Sequence, residues 1–238
     1  MLCSTLLAAF VLGACGGDDD GDPASTGDES AETTSPEVDV SVPEKPEVPV
    51  TPNPVQAAGI DPASGFTQGI APDVRPGTST PEASPPPLPQ AAGNAGCEVR
   101  LKLPDEGNSH LSKNDPAPTY KTSPPTSGDH DPVPVADGAH RKAPPETAVV
   151  HSLEHGRVAI HYSPSLPADQ QLLLKGLFDE DPNGMLLIPD SDMPYDVAAT
   201  AWRNLLGCGS FGAWPELKAA LVAFRDQFRG RGPERLPL

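Results

Sequence analysis

"RVAIHYSPSLPADQQLLLKGLFDEDPNGMLLIPD", residues 157–190, reads as a strand, a helix and a second strand in succession. RVAIHYS is strand-like, and PADQQLLLKGLF follows as a helix with Pro167 near its first turn, where a missing N–H costs nothing. DEDPNG breaks that helix, and GMLLIPD is a short buried strand. Downstream, DVAATAWRN reads as another strand. WPELKAALVAFRDQF is a helix with Pro215 at its start, Leu217, Leu221, Phe224 and Phe228 at helical spacing, and Gly230 as its stop. Upstream, CEVRLKLP alternates apolar and polar residues and predicts a strand from residue 97. The order predicts a single small α+β domain, one mixed sheet with helices packed on it. A thioredoxin-like arrangement fits that order, but there is no Cys-x-x-Cys, so redox chemistry of that kind is not implied.

The rest of the chain is of a different character. It has 238 residues and a formal net charge of −17. Residues 1–14, MLCSTLLAAFVLGA, are apolar and uncharged, and Leu12-Gly13-Ala14-Cys15 fits a bacterial lipobox, at which a signal peptide is cut and the cysteine acylated. Fourteen residues are too few to span a bilayer as a helix, so the expectation is a lipoprotein signal peptide over 1–14 and lipidation at Cys15. No Lys or Arg precedes the apolar run. From Gly16 to Gly96 the chain carries fourteen acidic and two basic residues and fifteen of its 32 prolines. Large apolar side chains are sparse there, so residues 15–96 predict a lipidated cysteine followed by a disordered Pro/Asp/Glu-rich linker that stands off acidic head groups. Residues 97–238 predict the globular domain. It has no basic stripe, which disfavours nucleic acid as a partner. Once Cys3 is removed with the signal and Cys15 is acylated, Cys97 and Cys208 remain. In an exported domain two cysteines most simply form a disulfide; metal-binding thiolates and two free thiols are the alternatives.

All six histidines lie between His110 and His161. Residues 104–143 read mostly as one long ordered loop, and a loop of that length in a compact domain usually serves function. In PPETAVVHSLEHG, residues 144–156, His151 and His155 are four apart with Glu154 between them. On a helix closed by Gly156, with Pro145 in its first turn, the two imidazoles share a face, the usual geometry for two nitrogens on one metal. On a strand they share a face too, spaced wider. His151-x-x-Glu154-His155 also matches the His-x-x-Glu-His of inverted zinc peptidases, in which the glutamate activates water. The plainer reading pairs Glu154 with a histidine or with Arg157 at a helix end. In YKTSPPTSGDHD, residues 120–131, the Pro-Pro pair and the Thr-Ser-Gly turn can hold His130 in a fixed direction. Ser127 has no nucleophile-elbow context. His161 alternates with Ile160 on one strand face, and His140 reads as a loop residue.

Pro-Pro-Thr-Ser-Gly-x-His at 124–130 and Val-His-Ser-Leu-Glu-His-Gly at 150–156 together resemble the bacterial domain of unknown function numbered 3105. HYSP, MPYDVAATAW and the closing GPE extend the resemblance over roughly residues 97–234. It implies an exported or membrane-tethered domain, and it brings no activity. The family's motif histidines fall on His110, His130, His151 and His155, with Glu154 beside them, and Met193 lies in the stretch before Ala-Trp. His140 stands where a tyrosine is expected and is not carried over. The expectation is therefore a transition-metal site of His110, His130, His151 and His155. Glu154 and Met193 are additional ligands or supports; imidazoles suit copper or zinc, and Met193 would favour copper. A non-catalytic binding role is preferred. Two other classes of reading remain: a metal-free interaction module for a cell-envelope protein or glycan, and a metal-dependent hydrolase with Glu154 as base. The protein partner is open on every reading, and the membrane is reached through the N-terminal lipid.

Overall fold

The computed structural model describes residues 70–234, 236 and 237. The apolar segment, Cys15 and the linker up to residue 69 lie outside the described residues. The strands are β1 (Glu98–Arg100), β2 (Gly138–Ala139), β3 (Val158–Tyr162), β4 (Met185–Pro189), β5 (Val197–Ala201) and β6 (Asn204–Cys208). The helices are α1 (Leu88–Asn94), α2 (Glu146–Glu154), α3 (Ala168–Glu180) and α4 (Trp214–Phe228). One mixed sheet runs β1-β6-β5-β3-β4-β2. β3 pairs parallel with β4 across the α3 connection, β4 pairs parallel with β2, and the other pairs are antiparallel. The protein is thus a single α+β domain over these residues.

Both faces of the sheet are covered, which explains why β3 and β5 are buried at every position and read as continuous apolar runs. Val158, Ile160 and Tyr162 of β3 and Met185 and Leu187 of β4 face the larger core, with Leu174 of α3 and Leu221 and Phe224 of α4. The alternate residues, Ala159, Leu186 and Ile188, pack against Val149, Val150 and Leu153 of α2. Side chains on a strand alternate between faces, so a single register assigns three helices to one side and α2 with the long loop to the other. Pro167 and Pro145 stand at the N-cap positions of α3 and α2, and Pro215 lies within the first turn of α4.

Three features differ from the sequence expectation. The linker does not run unpacked to residue 96. Leu88, Ala91 and Ala92 of α1 are buried in the main core, and the Thr78 N–H donates to Leu172 O at 2.7 Å on α3. A Cβ on Gly77 would lie 2.2 Å from the Gly176 nitrogen, so the proline-rich segment docks through backbone contact that needs few apolar side chains. β1 stops at Arg100, because Lys102 takes a positive φ of 53° and turns the chain. β6 is a strand that the sequence reading lacks. Its hairpin turns at Arg203, φ 61°, a position where glycine or asparagine would normally signal the turn.

Cys97 and Cys208 are bonded to each other, joining the chain before β1 to the end of β6 over a separation of 111 residues. Closing so long a loop restricts the unfolded chain by roughly 4–5 kcal/mol. Replacing both cysteines by alanine is expected to lower the unfolding free energy in urea by about that much, while the far-ultraviolet circular dichroism of the folded state stays the same.

Candidate metal centre

Helix α2 carries seven consecutive buried residues, Ala148 to Glu154. Its apolar side chains face the sheet, so its polar ones are buried against the loop. Ser152 Oγ accepts from Val135 N–H (2.9 Å) and donates towards Val135 O (3.0 Å) and Ala148 O (3.2 Å). This ties the end of the long loop along the helix. His151 Nδ1–H donates to Asp131 O at 2.6 Å. The helix ends at Glu154, and Gly156 with φ 84° turns the chain into β3.

The loop supplies the other side of the site. Two of its segments zip together: Gly128 N–H donates to Gly107 O (3.1 Å), His130 N–H to Ser109 O (3.0 Å), and Leu111 N–H to His130 O (2.7 Å). His110 and His130 therefore pair as neighbours across a short parallel bridge. Gly128 has φ 131°, and a Cβ there would lie 2.6 Å from the Tyr120 ring, whose hydroxyl donates to Asp129 O at 2.8 Å. The Gly128 carbonyl in turn accepts from His130 Nδ1–H at 2.8 Å. Both His130 and His151 are thus pinned through Nδ1 to backbone carbonyls, which leaves Nε2 of each ring available to a further partner. That is the arrangement by which outer contacts fix a metal-binding imidazole.

His110, His130, His151 and Glu154 each bring a ligand atom within 4.8 Å of the others. The imidazole centroids of His110, His130 and His151 are 4.8–5.1 Å apart. His130, His151 and Glu154 are buried and His110 is exposed, so the cluster opens to solvent on the His110 side. His130 Nε2 lies 3.1 Å from Glu154 Oε2, yet no hydrogen bond of acceptable geometry reaches this fully buried nitrogen. With Nδ1 protonated, Nε2 and the carboxylate present lone pairs to each other. Such a contact needs a cation, either a proton on Nε2 or a metal ion. The donor set and this unsatisfied nitrogen fit a metal.

His155 adjoins this set. It belongs to a neighbouring trio with Glu154 and Glu234, at 3.4 Å from Glu234 Oε2, and its Nε2 is 3.0 Å from His151 Nε2. Glu154 therefore occupies the place in the four-donor group that the sequence expectation gave to His155. The Glu234 N–H donates to Glu154 O (3.1 Å), and Gly232 lies so close that a Cβ would be 2.0 Å from that oxygen. The C-terminal segment thus closes over the end of α2. Glu234 carried no sequence signal beyond its place in the closing GPE. Arg157 does not pair with Glu154; its Nε–H donates to Asp137 at 3.1 Å. Met193 is buried in a separate small cluster with Ala198 and Leu205. His161 contacts Thr200 Oγ1 (3.0 Å) and Asp190 (3.3 Å), and His140 Nε2 contacts Ala136 O (3.3 Å). Neither belongs to the cluster.

Burial holds the His151 imidazolium down to a pKa of about 4, against the hydrogen bond to Asp131 and with help from His155, His130 and His110. Burial also lowers His155, opposed by Glu234. His151 is consequently a neutral donor at neutral pH.

The family model described as a protein of unknown function (DUF3105) matches residues 111–235, more than half of the chain. His130, His151, Glu154, His155 and Glu234 fall inside the match and His110 one residue before it. No curated protein and no solved structure matches the chain.

Two outcomes are expected. In chelator-treated protein, the unfolded chain takes a proton on His151 near pH 6.5, whereas the folded chain resists it until about pH 4. Stability should therefore decline as pH falls through that window, and His151→Asn, which keeps a donor for Asp131 O, should decline less on urea titration at each pH. Gly128→Ala should lower the unfolding free energy by roughly 2 kcal/mol or more, because the new methyl meets Tyr120 in a left-handed backbone conformation.

Proposed function

The chain belongs to the DUF3105 family, and because that family carries no assigned activity, we propose from the site itself that the domain binds a transition metal. The supporting observation is the convergence of His110, His130, His151 and Glu154, with His130 and His151 pinned through Nδ1 and the buried His130 Nε2 facing Glu154. Three imidazoles and one carboxylate suit divalent zinc or copper. The group contains no thiolate or thioether, so cuprous copper is less well matched. Four protein donors fill a tetrahedral shell, which favours holding, carrying or sensing a metal over turning over a substrate. Glu154 sits within the donor group, and that speaks against a free catalytic base. Leu12-Gly13-Ala14-Cys15 would place this domain at the cell envelope on a lipid anchor, with the proline-rich segment as spacer.

A metal-free interaction module is favoured by one observation: His155 Nε2–H can donate to His151 Nε2 at 3.0 Å, closing part of the network without an ion. His130 Nε2 stays unsatisfied in that arrangement.

The chain purified without an affinity tag and dialysed against trace zinc and copper is expected to retain one equivalent of metal by mass spectrometry. His151→Ala should weaken retention at least tenfold, and His161→Ala should leave it intact. Wild-type protein without stoichiometric metal would leave the metal-free reading standing.

A further inference from the structure

Lys102 (φ 53°) and Arg203 (φ 61°) are the non-glycine residues with left-handed backbone among the described residues, and both line one open cleft of about 410 Å³. Arg231, Trp202 and Asp105 line it as well. L side chains are disfavoured at positive φ, and glycine or asparagine would occupy either turn without strain. A cationic side chain at both positions, in the same cleft, points to a use for the charge.

The backbone around these residues is firmly held. Lys102 N–H donates to Asn204 Oδ1 (3.1 Å), Leu103 N–H to Arg203 O (2.9 Å), and Arg203 N–H to Thr126 O (2.8 Å). Arg203 Nε–H donates to Leu103 O at 2.6 Å, which fixes the guanidinium plane while leaving both terminal nitrogens without a protein partner among the described residues. Lys102 Nζ and the Arg231 guanidinium likewise make no hydrogen bond or ion pair with the described residues, whereas Arg157, Lys218 and Arg229 are each paired with a carboxylate. Three cations against Asp105 give the cleft a positive balance in a chain of net charge −17. Trp202, 9% exposed, is its apolar wall, and the same indole stands edge-on to His130, ring centroids 6.3 Å apart. Gly232, which also lines the cleft, rests on the Glu154 carbonyl. The cleft therefore adjoins the histidine cluster through Trp202 and Gly232.

We propose that this cleft binds a small oxyanionic ligand, a carboxylate or phosphate compound. Arg203 and Arg231 provide forked donors, Lys102 a point charge, and Trp202 a surface for the ligand's apolar part. The site stands independently of whether the histidine cluster holds a metal.

Calorimetric titration of the full chain with pyrophosphate and with citrate, each against sodium chloride at matched ionic strength, tests this. Saturable binding of at least one of the two is expected, with and without chelator. Combining Arg203→Gly with Arg231→Gln should weaken it at least tenfold. Arg203→Gly removes the guanidinium and suits the left-handed turn, so the variant should melt no lower than wild type; a destabilised variant is replaced by Arg231→Gln with Lys102→Gly. No saturable binding of either probe beyond the chloride response would overturn the proposal. So would binding that survives loss of the arginines, or binding abolished by His151→Ala and untouched by the arginine variants, which would put the anion on the histidine cluster.

Discussion

A helix buried along seven consecutive residues cannot leave its polar side chains to solvent, and α2 is such a helix. Val149, Val150 and Leu153 are satisfied by the sheet, but Ser152, His151 and Glu154 require partners from somewhere else. The long loop exists in its observed shape because it meets that requirement. Val135 holds Ser152, Asp131 O accepts from His151 Nδ1–H, and the zipped segments at 107–111 and 128–130 set His130 opposite Glu154. The histidine–glutamate cluster is thus the polar side of a packing problem whose apolar side is the sheet.

The same constraint sets the site's electrostatics. Arg157 is committed to Asp137, and the buried Glu154 carboxylate has imidazoles as its immediate companions. Desolvation keeps His151 neutral, so the ring does not supply the compensating charge at neutral pH. Glu154 and the His130 Nε2 that no hydrogen bond reaches are donor groups that could hold a cation. The cleft that Trp202 also lines carries Lys102, Arg203 and Arg231 against Asp105. The histidine–glutamate cluster and this cleft adjoin each other at Trp202 and Gly232.

Much of the fold was legible because it rests on local rules. The apolar runs of 158–162 and 185–189, Pro167 before α3 and the Asp-Pro-Asn-Gly breaker announce strand, helix and strand without reference to anything distant. Cysteine count made the pairing of Cys97 with Cys208 the simplest of three readings, and the structure forms that bond. β6 was not legible, since a hairpin turned by arginine gives no glycine signal. Nor was the docking of residues 70–96, which uses backbone contacts at Gly77 and Thr78 and three small or apolar residues of α1.

For the candidate site the division lies elsewhere. Spacing alone put His151 and His155 on one face with Glu154 between them, on a helix or on a strand; the structure makes it helix α2. The sequence also flagged His110 and His130 as motif residues. Only the tertiary structure decided that His110 and His130 become neighbours, that Glu154 joins them where His155 was expected, that Met193 packs elsewhere, and that Glu234 returns to His155. The physical reason is that these choices are made by backbone carbonyls and loop hydrogen bonds at Gly128, Asp131 and Glu154. Every residue carries such groups, so no residue type marks where they act.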